Sequence, residues 1–407
     1  MGVLTLKIFI SNDGCVEGQL SSTYIERFLS GHGLTLTKNL EDADLVIFYA
    51  CGLTEQRQEQ SLALIAQAKK SMKTSARLVV WGCLPKVNPE ALRAVYNGPL
   101  IGPMDTDFFK NLVGDESSEC DSMEIASPSS MLVSSETPGI QYGDAVTNTL
   151  LFFGQYWDRL WERARENRPF IIRVAKGCTG TCTYCSERVA FGRIRSRAVN
   201  NVLRDFEHGL DQGYNLFSLM ATDLGAYGKD IGCALPDLLK EMIQTGKERD
   251  YKIILNQVNP FHLGNLYSDL REIFKSGRIS SLCSPVQSGS DRILRLMQRQ
   301  HTAEEWRGYM MLIGREFPRI RLVTQFMVGF PTETEEDFEA TENLLNYPAL
   351  FDYVHIFKFS RRPHVFAAYM EGQVPENVKE YRRTRLLRKY ALTKSLNIVL
   401  KSAHGIF

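Results

Sequence analysis

The sequence predicts an α/β protein that contains two successive parallel sheets. Over residues 1–110, short apolar runs alternate with amphipathic stretches, which is the pattern of buried parallel strands joined by helices. A second series of strand and helix signals continues to about residue 359, as repeated β-α-β units require. A stretch rich in Ser, Glu, Asp and Pro separates the two series. Together these observations place the chain in the α/β class.

The first series predicts a small N-terminal domain over residues 1–110. Its predicted elements are strand 5–10, helix 21–30, strand 45–49, helix 59–73 and strand 77–81. The composition changes near Gly114 and stays poor in large apolar side chains to about Tyr142. Residues 111–150 are therefore predicted to be a flexible linker or loop.

The second series predicts an open or closed parallel barrel over residues 151–376. An aromatic, amphipathic helix at 151–166 leads into it. The predicted strands are 170–174, 216–220, 252–255, 321–328 and 353–359. Such barrels present their working groups at the carboxyl ends of the strands. Residues 377–407 are predicted to form a basic C-terminal helical segment.

The composition narrows the functional class. The 407-residue chain has no apolar run long enough to span a bilayer, and its N-terminus lacks a signal-peptide pattern. We therefore expect a cytoplasmic protein that does not associate with membranes. The 48 basic and 47 acidic residues nearly cancel, so no global field attracts nucleic acid. Nine cysteines in such a protein indicate metal or redox chemistry, because the cytosol keeps thiols reduced.

The most informative feature is a Cys-x3-Cys-x2-Cys loop formed by Cys178, Cys182 and Cys185. Three thiolates this close can each bind one iron of a cubane cluster, whereas a complete set normally has four cysteines. One iron is then left open. Zinc explains the loop less well, because no second pair of ligands follows nearby. Incidental core cysteines are also a poor explanation for three thiols on one glycine-flanked loop.

A second set consists of Cys15, Cys51 and Cys83, each of which follows a short apolar strand. If these strands are neighbours in one parallel sheet, all three thiols emerge at the same edge. They could then hold another cluster. Cysteine is also among the most buried residue types, so filling the core remains the alternative.

Both cysteine sets belong to a longer series of motifs that resembles the radical S-adenosylmethionine methylthiotransferases. The resemblance runs from about residue 5 to residue 385. In chain order the motifs are Gly14-Cys15, 43–51, Gly82-Cys83, the loop 176–186, 287–291, 328–331, 333–338, and Ser360 with Arg362. The segment 224–232 is similar to the branch that acts on threonylcarbamoyladenosine in tRNA, although turn chemistry alone also explains its Gly and Asp residues.

The resemblance implies a Rossmann-like N-terminal α/β domain followed by a partial (β/α)6 barrel. It implies two 4Fe-4S clusters: an auxiliary cluster on Cys15, Cys51 and Cys83, and a catalytic cluster on Cys178, Cys182 and Cys185. It also implies S-adenosylmethionine as radical source and methyl donor. Expected partners are a sulfur donor and an electron donor such as flavodoxin or ferredoxin.

Further site residues are predicted at strand ends or on the same motifs. Asp223 is expected to contact substrate or cofactor. The predicted cofactor-binding residues are Tyr184, Arg193, Gln287, Ser288, Gly329 and Arg362. Some have simpler explanations: the serines near 288 could cap a helix, and two arginines among Arg193, Arg195 and Arg197 could form a solvated face. Thr332 and Glu335 have the spacing of a capping box.

The chain departs from the family pattern at several positions. Gly18 and Tyr49 replace asparagines near the first and second cysteines of the auxiliary set, which leaves the reactivity of that cluster open. Three further departures are Gln325, Thr332 and Cys283. Cys283 is more simply a core residue than a ligand.

These features lead to a preferred prediction and two alternatives. The basic RNA-binding barrel of tRNA-modifying members, the TRAM domain, is not found before Phe407. We therefore expect an enzyme that converts C-H to C-S-CH3 on a peptide, a protein side chain or a natural product. The first alternative is methylthiolation of a tRNA adenosine of the threonylcarbamoyladenosine type, with the basic helix after residue 377 or a partner protein in place of the RNA-binding barrel. The second is an iron-sulfur sensor without catalysis.

Overall fold

The computed structural model describes residues 6–114, 169–346 and 350–403, with side chains described as far as Lys394. Most of the predicted linker 111–150, the whole predicted helix 151–166, and Cys120 lie outside these residues. The described residues form two parallel sheets, and the predicted α/β class is confirmed.

The first sheet has five parallel strands. In chain order its elements are β1 (Lys7–Asn12), α1 (Val16–Gly31), β2 (Thr35–Leu36), β3 (Leu45–Ala50), α2 (Glu55–Ser71), β4 (Arg77–Gly82), α3 (Leu84–Val87), α4 (Pro89–Arg93), β5 (Leu100–Ile101) and α5 (Asp107–Val113). The spatial order is β2-β1-β3-β4-β5. Every residue of β3 is buried, as expected for a central strand covered on both faces.

The second sheet has six parallel strands in sequence order, as a partial barrel requires. The first half of this region contains β6 (Phe170–Arg173), β7 (Ala175–Lys176), α6 (Ser186–Phe191), β8 (Arg195–Ser196), α7 (Val199–Asp211), β9 (Leu216–Met220), α8 (Leu235–Thr245) and β10 (Lys252–Leu255). Strands β7 and β8 form a separate antiparallel hairpin. The second half contains α9 (Pro260–Lys275), β11 (Ile279–Cys283), α10 (Asp291–Leu296), α11 (Ala303–Glu316), β12 (Arg321–Val328), α12 (Glu335–Asn343), β13 (Tyr353–Lys358) and α13 (Glu376–Ala403). The spatial order is β13-β12-β11-β10-β9-β6.

Two helices tie the architecture together. Ala190 and Phe191 of α6 join the apolar cluster of the first sheet, which also contains Trp81 and Phe109. At the other end of the chain, Leu386 of α13 is fully buried in the core of the second sheet. Among the described residues, no helix combines the length and apolar character needed to cross a membrane.

Three sequence-based details need correction. The series of predicted strands omitted β11, because Ser280 and Ser281 interrupt its apolar pattern. The helices α1 and α2 begin about four to five residues before the predicted starts. The capping box of α12 is formed by Thr334 and Asp337, not by Thr332 and Glu335.

Candidate active site

The three N-terminal cysteines come together because their strands are adjacent. Cys15, Cys51 and Cys83 follow β1, β3 and β4, which lie side by side in the sheet. Parallel strands present their carboxyl ends at one edge, so the three thiols emerge together. We call these three residues the strand-end trio. The Sγ atoms of Cys15 and Cys51 and a carboxylate oxygen of Asp13 all lie within 4.8 Å of one another.

Asp13 organises this edge, and the sequence analysis did not identify it. Its carboxylate accepts the backbone N–H of Cys15 at 3.2 Å and that of Cys51 at 3.0 Å. It also accepts the hydroxyl of Ser61 at 2.9 Å. Asp13 is only 3% exposed, so these charge-assisted bonds hold two cysteine loops in fixed positions. The only sequence signal was an Asp two residues before the first cysteine.

Gly18 and Tyr49, the two departures from the family pattern near this trio, are in direct contact. A Cβ on Gly18 would lie 2.8 Å from the ring of Tyr49 and 3.0 Å from Cys15 Sγ. The backbone N–H of Gly18 donates to Cys15 Sγ at 3.2 Å. The buried hydroxyl of Tyr49 lies 3.4 Å from Cys83 Sγ. Thus Gly18 makes room for Tyr49, and both residues contact the thiols of the trio.

The electrostatics of the strand-end trio suit a bound metal. A hydrogen bond with Cys51 and burial raise the pKa of Cys15, while burial and the charge of Cys51 raise that of Cys83. The hydrogen bond with Cys15 lowers the pKa of Cys51. Three thiolates at one buried edge therefore repel one another unless a cation lies between them. The donor set fits an iron-sulfur cluster.

The loop between β7 and α6 carries the second set, Cys178, Cys182 and Cys185, which we call the loop trio. Thr183 is one anchor of the loop, and its backbone N–H donates to the carbonyl of Met297 at 3.2 Å. The hydroxyl of Thr183 donates to the carbonyl of Leu296 at 2.9 Å. Burial and the nearby Asp223 raise the pKa of Cys178 to about 12. This donor set also fits a cluster that relieves the repulsion between thiolates.

Asp223 lies where the sequence predicted a functional residue, at the end of β9. Its Oδ2 is 3.6 Å from Cys178 Sγ and 3.5 Å from His262 Nε2. His262 also lies 3.3 Å from the hydroxyl of Thr179 and 3.3 Å from Lys229 Nζ. Asp223 is 3% exposed, and among the described residues nothing donates to its Oδ1. The oxygen is therefore an available acceptor beside the loop trio.

Arg299 is a second residue that the sequence analysis missed. Its Nη1 donates to Cys182 Sγ at 3.6 Å, and its Nη2 donates to the carbonyl of Pro285 at 2.7 Å. Tyr184 lies beside it, and burial raises the pKa of that tyrosine. No spacing rule identifies Arg299, because it approaches the loop from beyond α10. It supplies a permanent positive charge next to the thiols.

The three arginines after the cluster loop differ in exposure. Arg193 and Arg195 are exposed, whereas Arg197 is buried. Arg197 donates to Asp205 at 2.7 Å and to the carbonyl of Arg173 at 2.9 Å. It is therefore part of the core and not of a solvated face. Cofactor binding by Arg193 stays a prediction.

Three other predicted cofactor-binding residues are already used by the fold. Gln287 is buried, has a φ of 76°, and pairs through its backbone with Phe326. The hydroxyl of Ser288 accepts the N–H of Ser290 at 3.1 Å. A Cβ on Gly329 would lie 2.3 Å from the side chain of Lys379, so this glycine makes room for α13. Cofactor binding by these three residues stays a prediction.

The two trios are connected by contacts between the sheets. The hydroxyl of Ser186, the residue after Cys185, donates to the carbonyl of Leu53 at 3.0 Å. The hydroxyl of Ser360 accepts the backbone N–H of Glu55 at 3.1 Å. Arg362 is 3% exposed and donates to Gln58 at 2.5 Å. The predicted cofactor residue Arg362 therefore lies at the junction of the sheets.

Several cations of the basic helix α13 bind groups of the protein itself. Lys379 Nζ donates to the carbonyl of Phe359 at 3.0 Å, and Arg382 pairs with Glu333 at 2.8 Å in a buried position. Arg385 pairs with Glu342 at 2.8 Å. These three cations attach the helix to the barrel. Phosphate contact by the other basic residues of the helix, such as the exposed Arg388, stays a prediction.

The segment that resembles the threonylcarbamoyladenosine branch is largely structural. Tyr227 is fully buried, and its hydroxyl donates to the carbonyl of Arg197 at 2.8 Å. The N–H of Gly228 donates to Ser196 at 2.9 Å, and Asp230 accepts the N–H of Ser196 at 2.8 Å. The motif thus fixes the hairpin that follows the cluster loop. Its Lys229 is exposed and reaches toward His262.

Comparisons with known proteins agree with this division into two sheets. The Radical SAM superfamily matches residues 172–345, and Uncharacterized protein family UPF0004 matches residues 7–99. A tRNA-2-methylthio-N(6)-dimethylallyladenosine synthase of Aquifex aeolicus is 31% identical over 94% of this chain and 83% of its own length. The chain belongs to the radical S-adenosylmethionine methylthiotransferase family. It is a transferase, and its cofactors are S-adenosylmethionine and 4Fe-4S clusters, two in this family.

Two further similarities extend this result. A probable threonylcarbamoyladenosine tRNA methylthiotransferase of Archaeoglobus fulgidus is 29% identical over 97% of this chain and 87% of its own length. The radical S-adenosylmethionine methyltransferase TsrM of Kitasatospora setae is 13% identical, with a TM-score of 0.60 over 90% of this chain and 77% of its own length. At that identity, the TsrM structure supports the fold alone.

Proposed function

We propose that this enzyme methylthiolates an adenosine of tRNA, with threonylcarbamoyladenosine as the preferred nucleoside. The observation that carries the proposal is the match to tRNA methylthiotransferases, which spans both sheets and both cysteine trios. The expected peptide, protein or natural-product substrate finds no support among these relatives. The tRNA alternative fits them better.

The residues of the chain divide the work between the two sheets. We propose that each trio holds one cluster: when bound, the clusters supply the electron that cleaves S-adenosylmethionine and the sulfur that is transferred. Asp223 Oδ1, which has no donor within the described part of the chain, can accept a hydrogen bond from a hydroxyl or amino group of the cosubstrate. Arg299 holds positive charge beside Cys182. Cys51 and Cys83 are buried, whereas Cys15 and the three cysteines of the loop trio are partly exposed, so the loop trio is open to a cosubstrate.

One local feature favours threonylcarbamoyladenosine over dimethylallyladenosine. Lys229 is an exposed cation whose Nζ lies 3.3 Å from His262 Nδ1, and His262 contacts Asp223 beside the loop trio. A threonylcarbamoyl group carries a carboxylate that such a cation can bind, whereas a dimethylallyl group carries no charge. The segment that holds Lys229 is also the one that resembles the threonylcarbamoyl branch.

The electron and sulfur sources belong to the same proposal. A radical enzyme of this class needs an electron donor, and we propose a flavodoxin or ferredoxin. A separate sulfur donor would restore the sulfur used at the strand-end trio in each turnover. Reduction of the purified enzyme by either protein, followed by release of 5′-deoxyadenosine, would test the first of these partners.

Nucleoside mass spectrometry tests the proposed substrate. tRNA from a strain that lacks this gene should contain threonylcarbamoyladenosine without its methylthio form, and the wild-type gene should restore the modification. A Cys178→Ala gene serves as the inactive control. In vitro, RNA loops that carry threonylcarbamoyladenosine should react faster than dimethylallyladenosine loops. Unchanged tRNA in the deletion strain would reject the proposal.

A further inference from the structure

A short turn after β13 presents two aromatic side chains to solvent. The 3-10 turn Phe366–Tyr369 buries its two middle residues, Ala367 and Ala368, and exposes both ends. Phe366 is 68% exposed and Tyr369 is 71% exposed. Residues three apart on a 3-10 helix lie above one another, so the two rings project from the same side. Paired exposed aromatics of this kind are unusual unless they bind something.

The turn is attached to the loop that carries the predicted cluster. The backbone N–H of Ala367 donates to the carbonyl of Thr183, between Cys182 and Cys185, at 2.9 Å. Ala367 and Met370 also belong to an apolar cluster that contains Tyr184. The turn therefore has a fixed position relative to the loop trio, and the two exposed rings flank the residue that contacts the cluster loop.

The same segment reaches the first sheet and carries positive charge. Ser360, a few residues before the turn, accepts the N–H of Glu55 at the start of α2. Arg361 is exposed, and its Nε donates to the carbonyl of Ala368 at 2.7 Å, which holds its guanidinium against the turn. His364 is exposed as well. The segment thus combines two aromatic faces with the adjacent guanidinium of Arg361 and an exposed imidazole, between the elements that hold the two trios.

We propose that Phe366 and Tyr369 stack on unpaired bases of the RNA loop that contains the target adenosine. Sites for single-stranded nucleic acid combine aromatic side chains, on which bases stack, with cations that follow the backbone. Stacking on either side of the target base would hold it near both trios without reading a long sequence. This inference rests on the proposed tRNA substrate and names the residues that bind it.

A binding experiment with the reconstituted full-length protein tests the inference. The probe is an RNA stem-loop that contains the target adenosine, with 2-aminopurine beside it. Loss of one stacked base should weaken binding about 10-fold, so Phe366→Ala and Tyr369→Ala should each raise Kd about 10-fold and the double variant about 100-fold. The wild type should quench 2-aminopurine, and the double variant should not. Phe366→Trp should retain tight binding.

Tyr381→Ala is the matched control, because Tyr381 is an aromatic residue of α13 that is 60% exposed and carries no proposed role. Its Kd should equal that of the wild type. Circular dichroism and iron content check that each variant folds. Equal RNA affinity in the double variant and the wild type would overturn the inference. This holds even if the double variant self-associates differently from the wild type. A wild type that neither binds nor modifies the RNA would instead reject the proposed substrate, and the inference with it.

Discussion

The loop trio and the strand-end trio are assembled in different ways. Cys178, Cys182 and Cys185 lie on one loop, whose position depends on a few anchors such as Thr183. Cys15, Cys51 and Cys83 come from three strands and meet only when β1, β3 and β4 pair in register. The loop trio can therefore be recognised from spacing, whereas the strand-end trio is a product of the fold.

The surroundings of the two trios differ as well. The strand-end trio is held by the buried carboxylate of Asp13 and contacted by Tyr49. The loop trio lies beside the guanidinium of Arg299 and beside Asp223, whose Oδ1 accepts no hydrogen bond from any residue that the structure describes. The first arrangement fixes ligands tightly, and the second leaves polar groups for a cosubstrate. The strand-end trio therefore suits a source of sulfur, and the loop trio suits a site of radical formation.

The largest expected effect separates the two trios by function. Cys178→Ala should abolish formation of 5′-deoxyadenosine, because the loop trio loses a ligand. Cys15→Ala should retain that cleavage but lose the methylthio product. Each variant should contain about four irons per chain where the wild type contains about eight. Iron analysis and chromatography of the nucleosides measure both effects.

Cys233→Ala is the control for these variants, because Cys233 is partly buried and lies in neither trio. It should match the wild type in both measurements. Loss of deoxyadenosine formation in Cys15→Ala would show that the two trios do not act separately.

A moderate effect is expected from Asp13→Ala. The substitution removes the carboxylate that accepts the N–H groups of Cys15 and Cys51, although the N–H of Cys51 keeps the hydroxyl of Ser61 at 3.1 Å, and each lost charge-assisted bond costs about 1.5–3 kcal/mol. The free energy of unfolding should fall, and iron content should drop toward four per chain while deoxyadenosine formation persists. Thermal unfolding and iron analysis test this. Asp105→Ala is the control, because Asp105 is an exposed carboxylate that accepts the N–H of Gly102. This variant should keep the iron content of the wild type.

The smallest effect is expected from Tyr49→Phe. The variant keeps the ring but removes the hydroxyl 3.4 Å from Cys83 Sγ. Hydrogen bonds to cluster sulfurs raise the reduction potential, so its loss should lower the potential of the auxiliary cluster and slow product formation by about 10-fold. A redox titration followed by electron paramagnetic resonance measures the shift. Tyr96→Phe, which removes a hydroxyl bonded to Leu78, should leave the potential unchanged.

The sequence predicted the class of fold and the residues with local signatures. The loop trio followed from spacing, and the strand-end trio from strand ends together with the family resemblance. Asp13 and Arg299 could not be predicted, because their contacts join residues distant in sequence. The role of the cations of α13 was also hidden, since basic residues form similar patterns whether they face solvent or, as Arg382 does, a buried carboxylate.

The shared space of Gly18 and Tyr49 has a consequence for protein engineering. A Cβ on residue 18 and the ring of residue 49 would approach to 2.8 Å, so the two positions are epistatic. A library that varies position 18 alone would score asparagine as forbidden there, although it is tolerable once the ring is gone. Only paired randomisation of both positions explores the alternative ways to line this edge.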